Sequence, residues 1–499
     1  MRKQLLSILI LATLGFTGCS SDDDIKSGGS TGGTQNNINE FIWGAMNSWY
    51  LWKDQVPNLS DDIGNASYAN LVNNNIPEDL FYKLVYEKNN VDKYSWIIDD
   101  YIAQENSFAG VYQSYGFEFG LVRLDVTPNA ELFAVVRYVL PGTSAEKNGL
   151  KRGDLILTVN GTQLKIDNYR SLFQSSTALF GLASIDLNNI VSLSGKTKTA
   201  SLEIINENPV FLDTIIDVNG KKAGYLVYNA FTNEYHRELN RAFGRFKAAG
   251  IQELILDFRY NGGGSVLTSS YLASMVTDNA PEDIFAKLTF NSKKQGYNDT
   301  YFFNNEMLIY EVGSSNYIGT ETINKLGLNK VYIIGTYDTA SASEMIINGL
   351  KPYINVELIG TPTRGKNVGS ITLYDTPNTD YVKKENVSPN PDHTYALQPI
   401  VFNIFNKNNE NDYANGFMPD ISVNEYDYLD NLLPLGDPNE PLLNAALKSI
   451  DPSFSSRVSS RSHFSKRNIS VIKMGSSKDL RPYSEEMYIL PNEIEIEAK

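Results

Sequence analysis

The sequence is poor in three features that would have pointed to familiar chemistry. Its 499 residues contain one cysteine, Cys19, so the chain forms no internal disulfide. Because Cys19 lies in the leader, the chain also offers no cysteine nucleophile. Only three histidines are present, which leaves few candidates for the base that a nucleophilic serine ordinarily uses. The chain also lacks net positive charge, because 58 acidic residues outnumber 43 basic ones, and the net charge of −15 argues against nucleic acid as the main partner.

The first residues predict an export signal. Arg2 and Lys3 form a short basic region, and residues 5–14 form an apolar run that is too short to span a bilayer. The run leads into FTGC, and a small residue directly before a lone cysteine resembles the processing site of bacterial lipoproteins. On that resemblance residues 1–18 are a signal peptide and mature Cys19 carries lipid. The alternative is a plain secretory signal with an incidental cysteine.

The residues after Cys19 bear on where the protein is held. The acidic run SSDDD resembles the surface-export signal of lipoproteins of the Bacteroidetes type, or it is a solvated charge run. We therefore expect an exported lipoprotein at the periplasmic face of the outer membrane or at the cell surface. By composition, residues 19–37 are a flexible linker.

The rest of the chain divides into three folded units and a tail. Residues 38–105 place apolar residues at helical spacing, which predicts an N-terminal helical domain whose aromatic residues pack in its core. Residues 106–206 alternate strand-like runs with turn signals, and residues 207–450 repeat strand-then-helix units. Residues 451–499 are rich in serine and basic residues and lack periodicity, so we expect a loosely ordered tail. The fold class is therefore multidomain α/β.

The stretch PGTSAEKNGLKRGDLILTVNG within the second unit closely resembles a PDZ domain. Such a domain adds the end of a polypeptide as an extra strand and holds its carboxylate on backbone N–H groups. The matching loop falls in SYGFEFG, which makes Tyr115, Gly116, Phe117 and Phe119 the candidate peptide-binding residues. The alternative is a β-domain whose groove is empty or covered.

The stretch TASASEM begins a predicted helix of the third unit and allows two interpretations. Ser341 followed three residues later by Glu344 is a capping box, which needs no further function. Two other stretches favour chemistry. In LDFRYNGGGS, three glycines after a buried strand can turn bare N–H groups towards the oxyanion of a tetrahedral intermediate. In TPTRGK, Lys366 lies in a turn after another buried strand, and a desolvated lysine can act as a base for a serine.

Together, LDFRYNGGG, TASASE and TPTRGK, with a PDZ domain upstream and GFMPDISV downstream, resemble the C-terminal processing peptidases, also called tail-specific proteases. The resemblance implies a crotonase-like ββα catalytic domain that needs no metal or cofactor. It makes Ser341 the nucleophile and Lys366 the general base. It also gives the oxyanion to the N–H groups of Ala342 and of one glycine in the run, for which we take Gly263.

The sequence departs from the family pattern at one position. Many relatives carry a glutamine four residues after the lysine, and Ser370 stands there in this chain. Ser370 and Glu344 are therefore possible orienting residues.

The alternatives to this site are few. Ser343 is a weaker nucleophile candidate. A histidine base would have to be His236, predicted to lie on the surface of a helix, His393 in a loop, or His463 in the tail. The expected partners are polypeptides with free C-termini and a lipid bilayer. The competing function is a non-catalytic protein that binds peptides or other ligands on the same scaffold.

Overall fold

The computed structural model describes residues 31–455, 472–480 and 487–490, apart from 125–126, 187–189, 314–315 and 385. The leader, Cys19 and His463 therefore lie outside the described residues. Within the described part of the chain, no helix combines the length and the apolar character needed to cross a membrane.

The N-terminal domain is mainly helical and shares its core with the catalytic domain. Its elements are α1 (Thr31–Trp49), α2 (Asn65–Asn73), α3 (Pro77–Lys83), β1 (Trp96–Ile98) and α4 (Tyr101–Phe108). One face of α1 buries Phe41, Met46 and Trp49 in the same apolar cluster as residues of the catalytic domain. The aromatic residues of α1 therefore pack as the sequence predicted. Because the core is shared, the N-terminal domain is held against the catalytic domain.

The PDZ domain has one main sheet, and β2 and β9 pair with each other as a separate two-stranded sheet. Its elements run in chain order as follows: β2 (Val111–Ser114), β3 (Phe117–Arg123), β4 (Leu132–Val139), α5 (Ser144–Lys147), β5 (Leu155–Val159), β6 (Thr162–Gln163), α6 (Tyr169–Leu172), β7 (Thr177–Ile185), β8 (Val191–Ser201) and β9 (Glu203–Asn206). Within the sheet, β3 pairs with β4, β4 with β5, β5 with β7 and β7 with β8, all antiparallel. Inward-facing side chains of β3, β4, β5 and β7 form a separate apolar core.

The catalytic domain is built on two six-stranded sheets. Its elements are β10 (Val210–Val218), β11 (Lys221–Tyr228), α7 (His236–Ala249), β12 (Glu253–Asp257), β13 (Gly264–Ser265), α8 (Val266–Val276), β14 (Ile284–Phe290), β15 (Asp299–Phe302), β16 (Glu306–Tyr310), β17 (Tyr317–Thr322), β18 (Lys330–Gly335), α9 (Ala342–Leu350), β19 (Asn355–Gly360), β20 (Val368–Ile371), β21 (Leu373–Tyr374), β22 (Ala396–Gln398), β23 (Ile400–Phe405), β24 (Ile421–Ser422) and α10 (Pro441–Ile450).

The first sheet has the order β10-β11-β12-β18-β19-β24 and is parallel from β11 onwards. The carboxyl ends of parallel strands meet at one edge, and loops at that edge commonly carry the site. The turns after β12, β18 and β19 hold the three sequence motifs, so the topology alone brings them together.

The predicted loosely ordered tail is wrong for the residues that the structure describes there. Residues 472–476 form β25 (Ile472–Ser476), which pairs with β3 of the PDZ domain, and residues 487–489 form β26 (Met487–Ile489). The second catalytic sheet has the order β13-β26-β20-β23-β14-β15. β25 adds to the edge of the PDZ sheet, and β26 lies between β13 and β20. Both strands are ordered by the strands beside them, and this source of order leaves no periodicity in a sequence.

Candidate active site

Ser341 sits at the junction between the turn after β18 and the start of α9. Its backbone has φ +65° and ψ −120°, a conformation that a residue with a side chain rarely adopts. Such strain costs on the order of 1–3 kcal/mol and persists only where surrounding contacts hold it. The capping box with Glu344 is present, but the Oγ atom makes no hydrogen bond of normal geometry to a described residue. The hydroxyl is buried and remains available for chemistry.

The Glu344 carboxylate connects the serine turn to the lysine turn. Its Oε2 accepts the N–H of Ser341 at 2.9 Å and the N–H of Lys366 at 2.8 Å. Its Oε1 accepts the N–H of Gly365 at 2.7 Å and the hydroxyl of Thr363 at 2.5 Å. Burial raises the pKa of Glu344, and these four hydrogen bonds oppose that shift. One buried side chain therefore fixes the main chains of both predicted catalytic residues side by side.

Lys366 lies in the turn between β19 and β20, and only 1% of it is exposed. Its Nζ atom is 5.0 Å from the centroid of the Tyr94 ring, which the N-terminal domain contributes. The two residues line a cavity of about 470 Å³ between the N-terminal and catalytic domains. The lysine side chain is thus held in a protected site, and Tyr94 is a neighbour that sequence reasoning missed.

Gly263 is placed directly against the serine. A Cβ atom on Gly263 would lie 2.6 Å from the Cβ of Ser341 and 3.0 Å from the N atom of Ala342. Its φ of +114° also favours glycine. Only glycine therefore fits at this position.

The predicted oxyanion donors differ in availability. Ala342 begins α9, and no described residue accepts its N–H. The N–H of Gly263, however, donates to Oδ1 of Asn261 at 2.9 Å. Gly263 lies beside Ser341, but its N–H would have to leave Asn261 before it could hold an oxyanion. Asn261 is a buried residue that the sequence did not single out.

Ser370 contacts a glutamine from a different part of the chain. Its Oγ accepts from Nε2 of Gln398, at the end of β22, at 2.9 Å. The Gln398 Oε1 atom accepts from Nε2 of Gln104 at 2.8 Å and from the hydroxyl of Thr372 at 2.7 Å, which fixes the orientation of the amide. Gln398 thus brings the amide of a glutamine into contact with Ser370. No local signal could have found it, because it lies 28 residues from Ser370.

The other candidates for nucleophile and base are engaged elsewhere. The Ser343 hydroxyl donates to the backbone oxygen of Asn261 at 3.1 Å. His236 is fully buried, so its prediction as a surface residue is wrong. Its ring nitrogens lie 2.7 Å from the Leu308 oxygen and 2.8 Å from the Thr268 hydroxyl, and burial lowers its pKa to about 4.

His393 is the remaining described histidine. Its Nε2 lies 3.2 Å from Oδ2 of Asp375, and its ring stacks on Phe41 of the N-terminal domain. These contacts tie it to the packing between two domains.

The four PDZ candidates lie together at one groove. Tyr115, Phe117 and Phe119 line a cavity of about 600 Å³ with Phe173 and Leu480. Gly116 has φ +91°, and a Cβ there would collide with Thr143. The strand edge of this groove is covered, because β25 pairs with β3 along it. The sequence had left open this alternative, a β-domain whose groove is covered.

Comparison with known proteins agrees with this architecture. Residues 222–423 match the model of Peptidase family S41, residues 37–96 match the Peptidase S41 N-terminal domain, and residues 135–178 match a PDZ domain. The chain is 27% identical over 283 residues to the chloroplastic C-terminal processing peptidase of Tetradesmus obliquus, covering 51% of this chain and 55% of that protein. It is 25% identical over 322 residues to the Carboxy-terminal processing protease CtpB of Bacillus subtilis (strain 168), covering 60% of this chain and 59% of that protein. The chain thus spans less than two thirds of these relatives.

A solved structure gives a more complete match. A crystal structure from Bacteroides fragilis NCTC 9343, described as an S41 protease, is 30% identical to this chain. The alignment covers 83% of this chain and 98% of the other and has a TM-score of 0.64. The predicted multidomain α/β fold with a PDZ domain is therefore confirmed, and the chain belongs to the S41 family of serine peptidases.

Proposed function

We propose that this protein is an exported endopeptidase that cleaves polypeptides near their C-termini, with Ser341 as nucleophile and Lys366 as general base. The observation that carries the proposal is the Glu344 carboxylate, because a single oxygen of it accepts the N–H groups of both residues. A strained serine whose hydroxyl makes no hydrogen bond of normal geometry to a described residue supports the same assignment.

The proposed reaction proceeds through an acyl-enzyme. The Lys366 amine takes the proton of the Ser341 hydroxyl while Oγ attacks the carbonyl carbon of the scissile peptide bond. The resulting ammonium then gives that proton to the leaving nitrogen as the C–N bond breaks. Water, deprotonated by the same amine, hydrolyses the ester and returns the serine. The lysine is therefore the only proton carrier that the cycle requires.

Stabilisation of the oxyanion is assigned to backbone N–H groups. The N–H of Ala342 is one donor, since it lies at the start of a helix beside the nucleophile. Gly263 supplies the second once its N–H leaves the Asn261 side chain. Each such donor contributes on the order of 2.7–4 kcal/mol to the stability of the transition state.

We assign the PDZ domain to substrate capture. Its groove is lined by Tyr115, Phe117 and Phe119, whose rings suit an apolar side chain near a C-terminus. Two relatives are named for C-terminal processing, which agrees with polypeptides that have free C-termini as substrates.

The test of the proposal is cleavage of an unfolded polypeptide by a soluble form that begins after Cys19. We expect the parent to cleave, and Ser341→Ala and Lys366→Ala each to reduce turnover by at least about 10³-fold. Ser343→Ala is the matched control, because that hydroxyl is buried two residues away and bonded to Asn261, and it should retain most of the activity. Full activity in either dyad variant would contradict the proposal. A folded parent that binds polypeptides and never cleaves them would favour the non-catalytic binding protein.

The location of the enzyme is a separate proposal that rests on the leader. We infer that Cys19 carries lipid and anchors the protein to a bilayer at the periplasmic face of the outer membrane or at the cell surface. Fractionation of cells that express Cys19→Ser should move the protein from the membrane to the soluble fraction. An unchanged membrane fraction would rule out the lipid anchor.

A further inference from the structure

Residues 472–480 occupy the edge of the PDZ sheet where a ligand strand would add. The pairing with β3 is antiparallel, with Ile472 opposite Arg123 and Ser476 opposite Gly120. The segment thus runs towards the loop around Gly116. Beyond the strand, the Ser477 hydroxyl contacts the Glu118 carboxylate and accepts the N–H of Phe119 at 2.8 Å. The chain itself therefore supplies the strand that this edge can accept.

Residues 487–489 occupy a second strand position, beside the catalytic motifs. On one side β26 pairs in parallel with β13, the two residues that follow Gly263. On the other side it pairs in parallel with β20, which begins two residues after Lys366. The strand therefore lies between the segment that carries the glycine run and the segment that carries the lysine.

Side-chain contacts hold the segment at both places. The Nζ atom of Lys473 lies 2.5 Å from Oδ2 of Asp338, three residues before Ser341. Burial opposes the ionisation of Asp338, but the charges of Arg137, Lys473 and Arg364 outweigh it and keep the pKa below the usual range.

The second lysine of the segment is buried. The Nζ atom of Lys478 donates to the backbone oxygen of Tyr260 at 2.5 Å and to that of Asn229 at 3.3 Å. Both acceptors lie close to the glycine run. Further along the segment, the ring of Tyr488 stacks on Phe108 with 4.1 Å between their centroids. These contacts of Lys473, Lys478 and Tyr488 are the anchors of the segment, and they join it to residues in or near the proposed site.

We propose that residues 472–480 and 487–490 are a built-in competitor of substrate: β25 fills the strand position at the edge of the PDZ groove, and β26 fills the strand position between β13 and β20, until a polypeptide replaces them. The proposal rests on the peptidase function above and adds how that site binds its substrate. A polypeptide would enter in extended form, parallel to Gly264–Ser265 and to Ser370–Ile371. Because strand pairing uses backbone groups, these positions accept many sequences, and the anchors of the segment set how tightly a substrate must bind to displace it.

The closing experiment locks the segment reversibly in the full chain. Arg123→Cys and Ile472→Cys, in a Cys19→Ser background, place two thiols at directly opposed positions of an antiparallel pair. Such positions have Cα atoms roughly 4.5–5.5 Å apart, which a disulfide can span. Binding of a labelled unfolded polypeptide is measured by fluorescence anisotropy with Ser341→Ala added, and cleavage is measured with Ser341 intact.

We expect the oxidised protein to bind and cleave at least about tenfold less well than the reduced protein, because the substrate can no longer displace the segment. The two single-cysteine variants are the controls and should not respond to the oxidant. A disulfide that forms without changing binding or cleavage would overturn the proposal, and so would a pair that does not cross-link in the folded protein. If the lock controls binding while no form cleaves, the peptidase function fails and the role of the segment stands.

A release variant tests the opposite direction. Lys478→Met removes the two hydrogen bonds from this lysine to the backbone oxygens of Asn229 and Tyr260, which weakens the hold on the segment. We therefore expect kcat/KM to rise by about tenfold. Lys325→Met is the matched control, because that lysine also donates to a backbone oxygen but lies outside the segment. An unchanged or lower kcat/KM in Lys478→Met would contradict the proposal.

Discussion

Replacement of Glu344 by glutamine is the most informative perturbation of the site. The carboxylate accepts four hydrogen bonds, two on each oxygen, whereas a glutamine has only one oxygen to accept them. The least costly orientation turns the new NH₂ group towards Thr363, whose hydroxyl can accept. That orientation keeps the oxygen on Ser341 and Lys366, and it leaves the buried N–H of Gly365 without its acceptor.

The size of the effect on stability follows from the number of hydrogen bonds that the substitution removes. One unsatisfied buried N–H costs about 1–3 kcal/mol, and the remaining bonds lose their charge assistance. Burying a neutral amide in place of a carboxylate offsets part of the loss, since burial disfavours the charged form of Glu344. We therefore expect a net loss of about 1–3 kcal/mol in the free energy of unfolding. Because the lost interactions are those that hold the turns of Ser341 and Lys366 in place, kcat should fall by roughly 10–100-fold.

The assay combines denaturant unfolding with cleavage of a fluorescent unfolded polypeptide. Glu282→Gln is the matched control, because the same substitution is made there at an exposed residue. It should change neither quantity. If Glu344→Gln behaved like this control, the account of how the two turns are held would be refuted.

Three further predictions follow from single contacts. Gly263→Ala should lower kcat by at least about 100-fold, because its Cβ would lie 2.6 Å from that of Ser341, whereas Gly296→Ala, with open space around its Cβ, should not. Gln398→Leu should change kcat more than it changes KM, and it should lower kcat more than Gln104→Leu does, because only Gln398→Leu removes the amide that donates to Ser370. Equal losses of kcat in the two variants would contradict a positioning role for Gln398. His236 has a folded pKa of about 4, below its unfolded value, so the unfolded chain binds the proton first as the pH falls. Protonation of His236 therefore takes almost nothing from the free energy of unfolding above about pH 6.5, and it lowers that free energy by about 3 kcal/mol by pH 4. Urea unfolding of His236→Gln should lack this part of the pH dependence, and an unchanged dependence would place the titration elsewhere.

The sequence predicted those features of the site that depend on chain order. The motifs around Gly263, Ser341 and Lys366 each follow a buried strand, and parallel strands bring such turns to one edge. The capping box was visible for the same reason, since Ser341 and Glu344 are three residues apart. What the spacing could not show is that Glu344 also holds the lysine turn, because those hydrogen bonds form only when β18 and β19 lie side by side.

The missed residues reach the site from distant parts of the chain. Gln398 arrives on β22 and Tyr94 on the N-terminal domain, and neither has a neighbour in sequence that hints at the contact. His236 lies on an amphipathic helix at its buried N-terminal end, where it meets Thr268, so its helical position alone was misleading. Residues 472–476 and 487–489 were predicted to be loosely ordered because their strands are defined by the neighbouring strands with which they pair rather than by their own periodicity.

The central claim is that Ser341 attacks the scissile carbonyl with Lys366 as its base. The most direct measurement is an acid quench of the enzyme during turnover of an unfolded polypeptide, followed by mass spectrometry of its peptides. The account predicts a substrate fragment esterified to the peptide that contains Ser341, with no adduct in Lys366→Ala. An acyl group on another residue, or rapid cleavage with no covalent intermediate, would contradict it.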